Sequence, residues 1–152
     1  MLAVGDTAPE FNLVSAENES VRLSDFRGQK VVVFFYPKAA TPGCTKQACG
    51  FRDNYAAIAA QNAVVIGISP DQPEALADWK AKEHFPYPLL SDADHAVAEA
   101  YGVWGEKKMY GRSYMGIIRS HFLIDEDGKL ADVQVKVSPE KSIELALQAL
   151  EK

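Results

Sequence analysis

The chain has two cysteines, Cys44 and Cys49, and both lie in one stretch, PKAATPGCTKQACG, residues 37 to 50. A thiol does its chemistry as the thiolate, whether as nucleophile, metal ligand or disulfide partner. The residues ahead of Cys44 are ones that start helices. Thr41 suits the N-cap and Pro42 the first helical position, which puts Cys44 in the first turn. Unpaired backbone N–H groups and the positive end of the helix dipole favour an anion there. Cys44 is therefore expected to have a lowered pKa and to be a thiolate at neutral pH. Ionisation alone is a small effect. An ordinary thiol is ~3% ionised at pH 7, so complete ionisation gains at most ~30-fold, about 2 kcal/mol, against the ~8 kcal/mol or more of enzymatic acceleration. The site must also position a substrate and stabilise charge on the leaving atom.

Cys49 follows five positions later. On a helix, five residues turn by about 140° and rise ~7.5 Å, which sets the two Cα atoms roughly 8 to 9 Å apart. A disulfide needs less than about 7 Å. Bonding the two thiols requires the start of the helix to unwind. Gly50 and the polar run Thr45, Lys46, Gln47 read as the place where it opens. An inert Cys49 packed on the helix fits the residues equally well. The spacing is wider than that of zinc-binding cysteine pairs, and His84, His95 and His121 show no paired ligand spacing. Each histidine reads as a surface or half-buried residue, and neither a metal nor a cofactor is expected. The acidic DEDG at residues 125 to 128 reads as a hairpin turn.

The elements that must hold this stretch are legible in the apolar pattern. Residues 30 to 37, KVVVFFYP, form a β-branched and aromatic run that predicts a strand buried on both faces. Tyr36, Phe34 and Phe35 are expected in the core. A helix is predicted from Pro42 to Gln61, then a second buried strand over 62 to 69. A helix follows over 73 to 83 with Pro73 at its first position, a short extended piece over 87 to 92, and a helix over 92 to 102 closed by Gly102. Residues 11 to 15 and 20 to 26 read as short N-terminal strands. Residues 103 to 117, with three glycines and mixed polarity, read as an irregular loop. Residues 119 to 125 and 129 to 137 predict a hairpin turning at Asp127-Gly128. A last helix starts at Ser138 and Pro139 and shows Ile143, Leu147 and Leu150 on one face. This order predicts an α/β fold, a mixed central sheet flanked by helices. It fits a thioredoxin-like core with extra N-terminal strands.

The 152 residues suit one domain over 1–152, and 47% apolar content predicts a globular chain. A net charge of −5 argues against nucleic acid and anionic membrane as partners. The start, MLAVGDTAPEF, lacks the basic and apolar regions of a signal peptide, so the cytoplasm is expected. In that reducing compartment a cysteine pair points to catalysis, redox work or metal rather than a structural disulfide.

The string FYPKAATPGCTKQACGFRD contains Pro-x-x-x-Thr-x-x-Cys as Pro37, Thr41 and Cys44, and so resembles the peroxiredoxins. Its Cys-x4-Cys spacing is similar to the peroxiredoxin Q subfamily, also called bacterioferritin comigratory protein. GDTAPEF, LSDFRGQKVVVFFYP, VIGIS, LLSD, YGVWGEK and RSHFLID extend the resemblance over nearly the whole chain. The resemblance implies a thiol peroxidase acting on hydrogen peroxide and organic hydroperoxides. Cys44 would be the peroxidatic cysteine that becomes a sulfenic acid, and Thr41 would hydrogen-bond the peroxide. Pro37 would shield the site, and Arg119 would hold the thiolate and polarise the peroxide. Cys49 would be the resolving cysteine, giving an intramolecular disulfide that thioredoxin or a similar dithiol reduces. A monomer is implied as well. Two rivals stand beside this reading. A general thiol-disulfide oxidoreductase on the same fold would want Cys-x-x-Cys, and position 47 is Gln. A redox sensor that signals through its own oxidation needs no turnover.

Overall fold

The computed structural model describes residues 2–152. In chain order the elements are β1 (Asn12–Ser15), β2 (Ser20–Arg22), β3 (Lys30–Phe35), α1 (Pro42–Asp53), α2 (Tyr55–Ala59), β4 (Ala63–Ser69), α3 (Pro73–Glu83) and β5 (Leu89–Ser91). They continue with α4 (Ala96–Ala100), β6 (Trp104–Met109), β7 (Arg112–Ile117), β8 (Ser120–Ile124), β9 (Leu130–Val135) and α5 (Pro139–Leu150). Seven strands form one sheet in the order β2-β1-β5-β4-β3-β8-β9. The β3–β4 and β4–β5 pairs are parallel, and the others in this sheet are antiparallel. The sheet is thus mixed, with the N-terminal strands added at one edge.

β3 lies between β4 and β8 and explains its own composition. Successive side chains of a strand point to opposite faces. Val32, Phe34 and Tyr36 join Phe51, Ile58, Leu76 and Trp79 on the side of α1, α3 and α5. Val31, Val33 and Phe35 join Ile66, Tyr101 and Phe122 on the other. With both faces covered there is no polar alternation to read. Each of these large side chains contributes about 1.5–3 kcal/mol by leaving water. The end of this strand is consequently a rigid platform for whatever follows it.

Four predicted boundaries change. Residues 23 to 26 form a 3-10 turn instead of extending β2, and this turn buries Leu23. The helix predicted from Pro42 to Gln61 breaks at Asn54, whose side-chain amide donates to the Gly50 carbonyl at 2.8 Å and competes with the helical ladder. α4 is shorter than predicted because the buried Asp92 carboxylate accepts from the Val97 and Ala98 N–H groups and fixes its start there. Residues 103 to 117 are not an irregular loop. β6 and β7 pair from Trp104↔Ile117 to Met109↔Arg112 around a two-residue turn, Tyr110-Gly111, with φ of 54° and 77°. That is the backbone a tight hairpin requires, carried on residues too polar to look like strands. No helix among the described residues is long and apolar enough to cross a membrane.

Candidate active site

β3 delivers the chain to the site. Tyr36 is fully buried and Pro37 half-buried, and a loop then runs to the first turn of α1. The loop is pinned from β4. Asp71 Oδ2 accepts from the Ala39 N–H at 2.7 Å and from the Ser69 hydroxyl at 2.7 Å. Ala40 takes a left-handed φ of 63°, a conformation costly for a residue with a Cβ and held here by its surroundings. Thr41 is the N-cap residue of α1 and Pro42 opens the helix, as the sequence predicts. The Thr41 side chain makes no cap hydrogen bond. Its hydroxyl donates to the Lys38 carbonyl at 2.7 Å instead.

Cys44 sits at the third helical position and is 1% exposed. Arg119, immediately before β8, crosses over the start of α1 and sets Nη2 3.4 Å from Cys44 Sγ. The approach passes close over Gly43, where an added Cβ would stand 3.1 Å from Arg119 Nη2. The other guanidinium nitrogen, Nη1, donates to Gln47 Oε1 at 2.8 Å. A cation held against the sulfur, at the positive end of a helix, stabilises negative charge on that sulfur.

Gln47 corrects the expectation of a loosely anchored polar run. It is 0% exposed, and its amide nitrogen donates to Ser142 Oγ on α5 at 3.0 Å. Ser142 Oγ lies 2.8 Å from His121 Nδ1. His121 is likewise not a surface residue, being 0% exposed on β8. Its Nε2 stands 3.6 Å from Asp132 Oδ2 on β9, and this ring beside it holds the Asp132 carboxyl below the usual carboxylate range. His84 is exposed and His95 half-buried, as expected. Gln47 could have been found from spacing, since it falls three residues after Cys44 on the same helical face. Ser142, His121 and Asp71 carry no such local signal.

Cys49 lies on α1 but faces another neighbour. It is half-buried, and its thiol donates to Glu83 Oε1 at 3.5 Å, while Arg52 Nη1 lies 3.6 Å from the same oxygen. Burial pushes the Cys49 thiol up, Arg52 opposes this, and the Glu83 carboxylate adds to it. Both cysteines are free thiols. Among the described residues no three His, Cys, Asp or Glu side chains gather as a metal site would require. Beside Arg119 a cleft of about 730 Å³ opens between the β6–β7 hairpin and the start of α5, with Lys107, Lys108, Ile118 and Val137 in its lining.

The structure therefore brings Cys44 and Arg119 into contact, with Thr41 and Pro37 on the same loop and helix start, while Cys49 points to Glu83. Residues 4–133 match the model of the AhpC/TSA family. The chain belongs to the AhpC/TSA family of peroxiredoxins. It is 53% identical over 132 residues to a peroxiredoxin Bcp of Escherichia coli strain K12, covering 87% of this chain and 85% of the relative. A peroxiredoxin Q structure from Xylella fastidiosa superposes with a TM-score of 0.93 at 31% identity, over 99% of this chain and 96% of that one. A bacterioferritin comigratory protein structure from Xanthomonas campestris, which concerns the alkyl peroxide reduction activity of that protein, gives a TM-score of 0.87 at 32% identity, over 93% of this chain and 90% of that one. The fold is thus the thioredoxin-like one expected. As a peroxiredoxin the chain is a peroxidase, with peroxides as substrates and a thiol as reductant.

Proposed function

We propose that Cys44 is the peroxidatic cysteine and Cys49 the one that resolves it. The contact between Arg119 Nη2 and Cys44 Sγ, at the first turn of α1, carries this reading. The Cys44 thiolate attacks the terminal oxygen of the hydroperoxide. An S–O bond forms and the O–O bond breaks, and the leaving alkoxide takes up a proton to depart as the alcohol, or as water from hydrogen peroxide. Cys44 becomes a sulfenic acid. Arg119 and the N–H groups of the first turn stabilise the charge that moves from sulfur to the leaving oxygen. The Thr41 hydroxyl has committed its proton to Lys38, so its lone pairs are free to accept the O–H of the hydroperoxide. Pro37 and the pinned loop keep bulk water from the sulfur. Organic hydroperoxides have an approach along the cleft beside Arg119, in keeping with the alkyl peroxide activity of the Xanthomonas protein.

The Cys49 thiol then displaces hydroxide from the Cys44 sulfenic acid, and water leaves as the intramolecular disulfide forms. α1 must unwind for this, because both thiols belong to one helix and Cys49 is turned to Glu83. Thioredoxin or a similar dithiol returns both cysteines to thiols and is itself oxidised to a disulfide. The same reading includes one domain over the whole chain, acting as a cytoplasmic monomer. An NADPH-coupled assay with thioredoxin and thioredoxin reductase tests it. Cys44→Ser is expected to abolish turnover, and Cys49→Ser to consume about one equivalent of peroxide and then stop when no other thiol is supplied. Sustained turnover by Cys44→Ser overturns the assignment.

A further inference from the structure

The side chains behind Arg119 form a single file across four elements: Gln47 on α1, Ser142 on α5, His121 on β8 and Asp132 on β9. The first three of these four are fully buried. Their donor order follows from chemistry. A guanidinium only donates, so Gln47 must turn its oxygen to Arg119 and its amide N–H to Ser142. The Ser142 oxygen accepts that proton and has one of its own to give. The polar atom 2.8 Å away is His121 Nδ1, and a Ser142 hydroxyl that gives it this proton needs Nδ1 unprotonated. The ring proton is left on Nε2, the nitrogen that faces the Asp132 carboxylate. In this order the file ends with the Nε2–H facing the Asp132 carboxylate at 3.6 Å, an electrostatic contact longer than a hydrogen bond. With the opposite tautomer, Nε2 would turn a lone pair toward the Asp132 carboxylate where water does not reach.

We propose that Ser142 and His121 are positioning residues for the peroxidase reaction, holding the Gln47 amide so that its oxygen aims Arg119 at the Cys44 sulfur. This rests on the assignment of Cys44 and Arg119 made above. The file also ties α1 to α5 and β8, so it holds closed the helix that carries both cysteines. Loosening the file has two consequences of opposite sign. Arg119 wanders, so peroxide attack slows. The hold on α1 weakens, so closure of the Cys44–Cys49 disulfide from the sulfenic acid speeds up, with water as the product. A residue that served the fold alone would not divide its effect in this way.

The tautomer is read first, on the unaltered reduced protein. The 15N chemical shifts of the His121 ring are expected to show an unprotonated Nδ1 and a protonated Nε2. A protonated Nδ1 overturns the donor order, whatever the variants do. Rates come second, by stopped flow in a Cys49→Ser background for oxidation and with both cysteines present for disulfide closure. Ser142→Ala and His121→Leu are expected to slow Cys44 oxidation about tenfold, while His121→Asn, which keeps an acceptor near the Nδ1 position, stays within about threefold of the parent. Disulfide closure is expected to quicken in Ser142→Ala. Folded Ser142→Ala and His121→Leu proteins that oxidise within about twofold of the parent overturn the proposal. So does a folded His121→Asn protein as slow as His121→Leu. If the parent itself does not react through Cys44, the functional assignment fails, and the tautomer measurement still reports on the file.

Discussion

The proposed roles of Arg119 and Thr41 in the reaction are legible only through resemblance. Nothing in composition separates Arg119 from Arg22, Arg27, Arg52 or Arg112. What sets it apart is its place just before β8, from which it reaches over Gly43 to the sulfur. If it stabilises the transition state, Arg119→Ala should slow Cys44 oxidation far beyond the ~30-fold that thiol ionisation alone can account for. Thr41→Val, which keeps the shape and removes the acceptor, should act in the same direction. Rates measured from neutral to alkaline pH decide the point, since recovery at high pH would reduce either residue to tuning ionisation. Cys49 gives a second test at this scale. Burial and the Glu83 carboxylate hold its thiol above the ordinary range while α1 is closed. The closed form gains stability from this below the ordinary thiol pKa, and loses it as the pH climbs through the raised folded value. Glu83→Gln removes the negative charge and lowers the thiol again. Alkylation of Cys49 at pH 8, in a Cys44→Ser background, should therefore be several-fold faster in Glu83→Gln than with Glu83 present. An unchanged rate would mean that burial alone sets this thiol.

Both cysteines ride on α1, and Gly50 is where sequence and structure part. By propensity a mid-helix glycine is a weak point, and Gly50→Ala should stabilise the helix by ~1 kcal/mol. In the structure Gly50 faces α5, and an added Cβ would lie 1.8 Å from Ile143 Cδ1 and 2.7 Å from its Cγ1. The clash outweighs the propensity gain, so Gly50→Ala should destabilise the fold by about 1–3 kcal/mol, read from the urea midpoint. A higher midpoint would show that α1 and α5 do not meet as described. Helix opening has its own readout in hydrogen exchange. Amides from about Gly43 to Arg52 should lose protection in the disulfide form while β3 keeps its own. The start of α1 and all of α3 could be read from Thr41-Pro42 and Pro73, because a proline at the first helical turn is a local signal. The β6–β7 hairpin could not, because its stability lies in pairing and a Tyr110-Gly111 turn rather than in an apolar pattern. The burial of Gln47 and His121 is illegible in the sequence for a related reason. Their burial is set by partners 95 and 21 positions along the chain, a separation that no window on the sequence spans.

Across the whole molecule the sheet acts as a bracket. β3 and β8 are neighbours in register from Val31↔Ile124 to Phe35↔Ser120, so the loop leaving β3 and the arginine entering β8 meet at the same edge. That pairing, between segments some 85 positions apart, turns Cys44 and Arg119 into one site. The mixed order of strands could be inferred from the succession of buried runs. The particular adjacency of β3 and β8 could not, since several topologies share that succession. We propose that this edge directs peroxide to one sulfur and passes the oxidation to one other. Intact-mass and peptide mass spectrometry of the reduced protein after a single equivalent of hydrogen peroxide tests it most directly. The expected product has lost two hydrogens in one Cys44–Cys49 disulfide, and Cys49→Ser is expected to gain a single oxygen on Cys44. Oxygen added to Cys49, or peroxide consumed with Cys44 left as a thiol, would contradict it.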